Sequence, residues 1–117
     1  SFVPANVGRN DDIWSGYLLR YITDHLKDTI SYGNPILFQK RNEHNLWDDL
    51  DKEINGNIFT DHLIETMCSL SLKGSNYLDC YAELADYLDS KLEKNRDVFD
   101  GVISGMRAWV DAISKIK

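Results

Sequence analysis

The sequence predicts a mainly α-helical fold with a small β component. Apolar residues recur at three- and four-residue spacing over most of the chain, which paints one face of successive helices. Two short β-prone runs flank a Gly33-Asn34-Pro35 turn. No apolar run approaches the roughly 20 residues that a membrane-spanning helix requires.

The 117 residues suit one domain. Hydrophobic residues form 43% and charged residues 27%, a balance that supports a packed core and argues against disorder. The formal net charge of -6 argues against two classes of partner. Non-specific nucleic-acid binding needs clustered Lys and Arg to displace counterions. A polybasic membrane site needs the same residues. The chain opens on Ser1 rather than Met, so it reads as an excised piece of a longer protein.

Residues 1–10 read as irregular, with Pro4 and Gly8 as turn formers. A first helix starts at Asp11 or Asp12 and ends near Asp28. Its apolar face is Ile13, Trp14, Tyr17, Leu18, Tyr21, Ile22 and Leu26. Asn10 or Asp11 serves as N-cap, and the acids that follow suit the positive end of the helix dipole. Thr29–Tyr32 and Ile36–Gln39 read as short strands. A polar loop, residues 40–45, follows.

From Leu46 onward the pattern is helical. One helix covers Leu46–Ile54, with Asn55-Gly56-Asn57 as a break, because Gly and Asn favour non-helical backbone. A second runs from Ile58 or Thr60 to Leu72, with Gly74 as the residue just past its end. A third covers Asn76 to about Glu93, capped by Ser75 or Asn76. A last helix covers Arg96–Ile116. Its stripe of Phe99, Val102, Ile103, Met106, Trp109, Val110 and Ile113 is wide for the end of a small domain. That width leaves a homo-oligomer contact, or a contact with further chain, open. Cys68 and Cys80 read as buried free thiols of a cytosolic protein.

Chemistry concentrates at two places. In Gly8-Arg9-Asn10-Asp11-Asp12, a guanidinium and two carboxylates meet at a loop-to-helix junction whose outward amides favour anions. One carboxylate can cap the helix while the other acts as a base or orients a hydroxyl. Arg9 offers a two-pronged grip on phosphate or carboxylate. The competing reading is a capped helix with a surface ion pair. In the second place, Lys40, Arg41 and His44 match phosphate or sugar hydroxyls, against a solvated loop. His25 and His62 read as packed or surface histidines. Asp48-Asp49-Leu50-Asp51 reads as a solvated acidic helix face, because residues one and two apart point in different directions. No phosphate-binding glycine loop, GxSxG, HExxH or paired CxxC occurs.

These motifs, in order, resemble a family. Asp11-Asp12-Ile13-Trp14-Ser15-Gly16-Tyr17, then Asp24-His25-Leu26, Gly33-Asn34-Pro35 and Asp49-Leu50-Asp51-Lys52-Glu53 followed by Gly56 are similar to the later half of the reversibly glycosylated polypeptides, the UDP-arabinopyranose mutases. They also resemble STELLO-type proteins. The agreement covers about residues 4–65. Gln39 stands where the mutases often carry a His, so that segment is no metal site by resemblance.

The resemblance implies the helical C-terminal part of an α/β glycosyltransferase of the GT-A kind. The nucleotide-binding part, with its Asp-x-Asp motif and Mn²⁺ or Mg²⁺, would precede Ser1. No cofactor is then expected on this chain itself, and the expected location is the cytoplasm or the cytosolic face of a membrane. Residues 1–72 form an acceptor-side segment and 73–117 a C-terminal helical hairpin. Asp11 and Asp12 match the acidic positions that serve as catalytic base or place the acceptor. Arg9 and Trp14 flank them, the indole face stacking on a sugar ring. The partners are a nucleotide sugar and a glycan acceptor. Activity of this piece alone is not expected. The alternatives are a non-catalytic helical interaction module and, ranked below it, a stand-alone enzyme.

Overall fold

The computed structural model describes residues 10–40, 43, 45–93 and 96–116. It holds four helices: α1 (Asp11–Leu26), α2 (Leu46–Cys68), α3 (Tyr77–Lys91) and α4 (Arg96–Ser114). Among the described residues there is no strand. Each helix follows from its spacing and its ends. In α1, Trp14, Leu18 and Ile22 fall four apart and all are buried. Lys27 closes α1 in the left-handed region, at φ 59°, and its N–H returns to Asp24 O and Thr23 O. Asn45 caps α2 by accepting from Trp47 N at 3.1 Å. Asn76 caps α3 by accepting from Asp79 N at 3.0 Å, while its amide donates to Asp79 Oδ2 at 2.6 Å. That reciprocal arrangement satisfies an otherwise orphaned helix donor.

Helix α3 packs against all three others, and most extensively against α4. Leu84, Ala85 and Leu88 of α3 are buried, as is Leu92 just beyond it. They share one core with Phe99, Val102 and Met106 of α4 and with Leu63 of α2. Trp14 brings α1 into the same core by stacking on Phe99, with ring centroids 5.5 Å apart at 16°. Residues 73–117 therefore share their hydrophobic core with the first two helices. Along the solvent side of the α3–α4 pair, Arg96 bonds Asp89 and Asp100, and Arg107 bonds Asp86 and Asp89 at 2.9 and 2.8 Å.

Three expectations change. The break at residues 55–57 does not occur: α2 runs through it. Gly56 is there for space. A Cβ at that position would run into Asn10 Cγ and lie 2.7 Å from Asn10 Cβ, so only glycine lets the start of α1 press against α2. The contact outweighs the roughly 1 kcal/mol by which glycine disfavours a helix interior. Gly74 is likewise a close-approach residue. Helix α2 ends earlier, at Cys68 with Ser69 as C-cap, and a Cβ on Gly74 would meet Cys80 N at 2.7 Å. The strands at 29–32 and 36–39 are absent too. A strand needs a neighbouring strand for its backbone bonds, and the helices around this segment satisfy theirs internally.

Candidate functional site

Helix α1 sets the geometry at its N-terminus. Asn10 is buried, and its side chain makes no cap bond. Its amide instead donates to Glu53 O of α2 at 3.4 Å. One turn on, Trp14 Nε1 donates to Thr60 Oγ1 at 2.9 Å, and the Thr60 hydroxyl donates to Gly56 O at 2.6 Å. Asn10, Gly56, Thr60 and Trp14 thus lock the first turn of α1 onto α2. Asp11 and Asp12 sit on that anchored turn. Asp11 is half-buried and Asp12 exposed. Asp12 Oδ1 accepts from Ile13 N at 2.8 Å, so it ties off one helix amide, as the capping reading expects. Ser15 Oγ donates to Asp11 O at 2.6 Å.

Trp14 is not a sugar-stacking platform. The residue is fully buried and stacks on Phe99. Its position among the apolar residues of α1 is the signal that it belongs to the core. Lys40 is exposed. Arg9, Arg41 and His44 lie outside the described residues.

The histidines on helices are structural. His25 Nε2 lies 2.9 Å from Gly74 O and ties α1 to the turn before α3. Glu83 Oε2 accepts from Lys73 N and Gly74 N at 2.9 and 3.1 Å, which fixes the same turn. His62 presents its ring edge-on to Phe99, and its Nε2 is buried without a hydrogen-bond partner among the described residues. Cys80 is a buried free thiol whose ionisation burial pushes upward. Cys68 is exposed rather than buried, because its position at the end of α2 turns it off the core face. Asp48 and Asp49 lie in the first turn of α2, where carboxylates complement the helix dipole. Among the described residues no three His, Cys, Asp or Glu side chains converge as metal ligands, and no helix is long and apolar enough to cross a membrane.

Two concavities are lined by described residues. A cavity of about 170 Å³ is lined by Ser15, Leu19, Ile22, Tyr77, Tyr81 and Trp109. Tyr81 and Trp109 meet edge-to-face there at 5.2 Å. Burial pushes the Tyr81 phenol up to about 12. The wall is apolar and lacks the converging polar groups that fix a sugar. A wider hollow of about 500 Å³ is bordered by Tyr21, Asp24, His25, Leu70, Ser71 and Leu72. Asp24 is drawn away by Arg20, which it bonds at 2.8 Å. Neither concavity is lined by Asp11, Asp12 or Lys40.

The sequence reading missed a surface of another kind. Tyr32, Ile36, Leu37 and Phe38 are 95, 92, 90 and 96% exposed, and Leu46 and Trp47 nearby in sequence are also largely exposed. Their clustering around Gly33-Asn34-Pro35 and the cap of α2 was the available signal.

Comparison with known proteins decides the family. The family model described as Reversibly glycosylated polypeptide matches residues 5–117. The chain belongs to the reversibly glycosylated polypeptide family. It is 31% identical over 108 residues to UDP-arabinopyranose mutase 3 of Arabidopsis thaliana, covering 91% of this chain and 30% of that protein. UDP-arabinopyranose mutase 2 of the same plant is 29% identical over the same shares. The probable UDP-arabinopyranose mutase 1 of Pisum sativum is 29% identical over 94% of this chain and 30% of its own length. The chain thus spans about 30% of the length of these relatives. No solved structure gives a significant match. The resemblance noted over residues 4–65 therefore extends through the α3–α4 hairpin.

Proposed function

We propose that this chain is the helical, acceptor-side part of a nucleotide-sugar-dependent protein that transfers or rearranges a sugar, of the GT-A kind. The observation that carries this reading is the family match over residues 5–117, to relatives named for a UDP-sugar mutase activity. The geometry adds support at one point. Asp11 and Asp12 project from a helix turn that Asn10, Trp14, Gly56 and Thr60 hold in place. A carboxylate on a fixed turn is suited to proton transfer, which needs hydrogen-bond reach maintained in the transition state.

In the proposed step, Asp12 or Asp11 accepts the proton of an attacking hydroxyl. That oxygen bonds to the anomeric carbon as the bond from carbon to the nucleotide phosphate breaks, and the pair of electrons leaves with the phosphate. Arg9, Lys40, Arg41 and His44 are assigned to phosphate or sugar hydroxyls. Among the described residues no three His, Cys, Asp or Glu side chains converge as ligands, and a divalent metal is assigned to the longer protein. No step assigned to this chain runs through it.

The test is substitution in a family-length protein carrying this sequence. Asp12→Asn and Asp11→Asn keep size and leave the anchored turn intact. At least one should lower nucleotide-sugar turnover by about 100-fold or more, as expected for loss of a general base, with unchanged circular dichroism. Full turnover in both variants would remove the acid pair from the chemistry.

A further inference from the structure

Among the described residues, the most exposed apolar surface lies between α1 and α2, and its backbone is as unengaged as its side chains. Four large apolar side chains between Tyr32 and Phe38 are at least 90% exposed. Single exposed apolar residues are ordinary, but a contiguous row marks an interaction surface. Among the described residues, no backbone–backbone hydrogen bond involves residues 29–43: the flanking bonds are Asp28 N to Thr23 O and Asp49 N to Asn45 O. Backbone groups of a folded protein are normally paired. Ile30-Ser31-Tyr32 and Ile36-Leu37-Phe38 are β-branched and aromatic runs that favour strands.

We infer that residues 29–39 form a docking strand that pairs with an exposed sheet edge in the part of the family-length protein lying outside this chain. The inference rests on family membership and not on the transfer chemistry. An extended segment added to a sheet edge gains main-chain bonds along its length, and alternate side chains enter pockets on the two faces. Ile36 and Phe38 would enter one face and Leu37 the other, so both faces of the receiving edge are apolar. Pro35 lacks an N–H and confines the pairing to either side of the turn. The occupant follows from length: relatives match 91% of this chain with only 30% of their own length. The stripe of α4 does not compete for this role between Phe99 and Met106, because Phe99, Val102, Ile103 and Met106 are buried within the chain.

Hydrogen exchange on the family-length protein tests this. Amides of residues 36–39 should exchange on the order of 100-fold slower than unpaired amides. Phe38→Asp should restore fast exchange there and lower the melting temperature, while protection of α3 and α4 persists. Fast exchange at 36–39 in the unsubstituted protein overturns the inference. Protection that appears only as concentration rises assigns the strand to a second copy and overturns it equally.

Discussion

The α3–α4 hairpin and the segment from Asp28 to Trp47 carry apolar residues of the same kinds and treat them in opposite ways. The hairpin folds Leu84, Leu88, Leu92, Phe99 and Met106 away from solvent, and pairs Asp86, Asp89 and Asp100 with Arg96 and Arg107 on its outer side. The segment leaves Tyr32, Ile36, Leu37, Phe38 and Trp47 in water. Helices satisfy their own backbone and need only a face to bury. Residues 29–40 lie outside any helix, make no backbone–backbone bond among the described residues and keep their large apolar side chains exposed. The hairpin, with the α1 and α2 residues that complete its core, is thus self-sufficient, and the segment is complementary to something else.

The sharpest contrast comes from aromatic truncation. Phe99→Ala or Trp14→Ala should lower stability by about 3–5 kcal/mol, the range for large core aromatics, enough to unfold a chain of this size under mild denaturant. Phe38→Ala should change the stability of the same chain by less than about 0.5 kcal/mol, as for a surface side chain without partners. Urea titrations followed by circular dichroism separate the two. Equal losses at Phe99 and Phe38 would erase the distinction between the regions.

A smaller effect probes how α1 is fixed. Gly56→Ala should destabilise by about 1–3 kcal/mol, the range for overpacking, because the new methyl would overlap the Asn10 side chain. In an Asn10→Gly background the same change should be neutral or stabilising, since the obstruction is gone and alanine favours a helix. Additive losses in this double-mutant cycle would mean that α1 does not press on α2 at Gly56.

The smallest effect is electrostatic. Arg96, and after it Arg107, holds the Asp89 carboxyl below its usual range. A group with a depressed folded pKa contributes stability above its unfolded value. That stability is lost as pH falls through the folded one. Melting temperature should therefore decline on acidification below about pH 4, the ordinary Asp value. Asp89→Asn should be less stable than the parent at pH 7 and show a shallower decline. The difference should be modest and shrink with salt, because the ion pairs are solvent-exposed.

Much of the fold was legible because helices are local. The stripes predicted α1, α3 and α4 to within about two residues at most ends, and the α3 cap was narrowed to Ser75 or Asn76, of which the structure uses Asn76. What the spacing did not carry was tertiary. Gly56 reads as a helix breaker until Asn10 is seen filling the space beside it. Trp14 reads as a sugar platform until Phe99, 85 positions later in the sequence, is found stacked on it. The strands at 29–32 and 36–39 were read from propensity, which says what a segment prefers and not whether a neighbour is present. Of the candidate site, the acid pair stands where the sequence put it, at the first turn of α1.

The central claim is that the helical body stands by itself while the segment between α1 and α2 waits for a partner, and amide hydrogen exchange on the 117-residue chain tests it most directly. Slow exchange should appear at Leu18–Ile22, Leu84–Leu88 and Ile103–Met106, with near-intrinsic rates from Thr29 to Gln39. Uniformly fast exchange, or protection at Ile36–Phe38 equal to that of α3, would contradict the account.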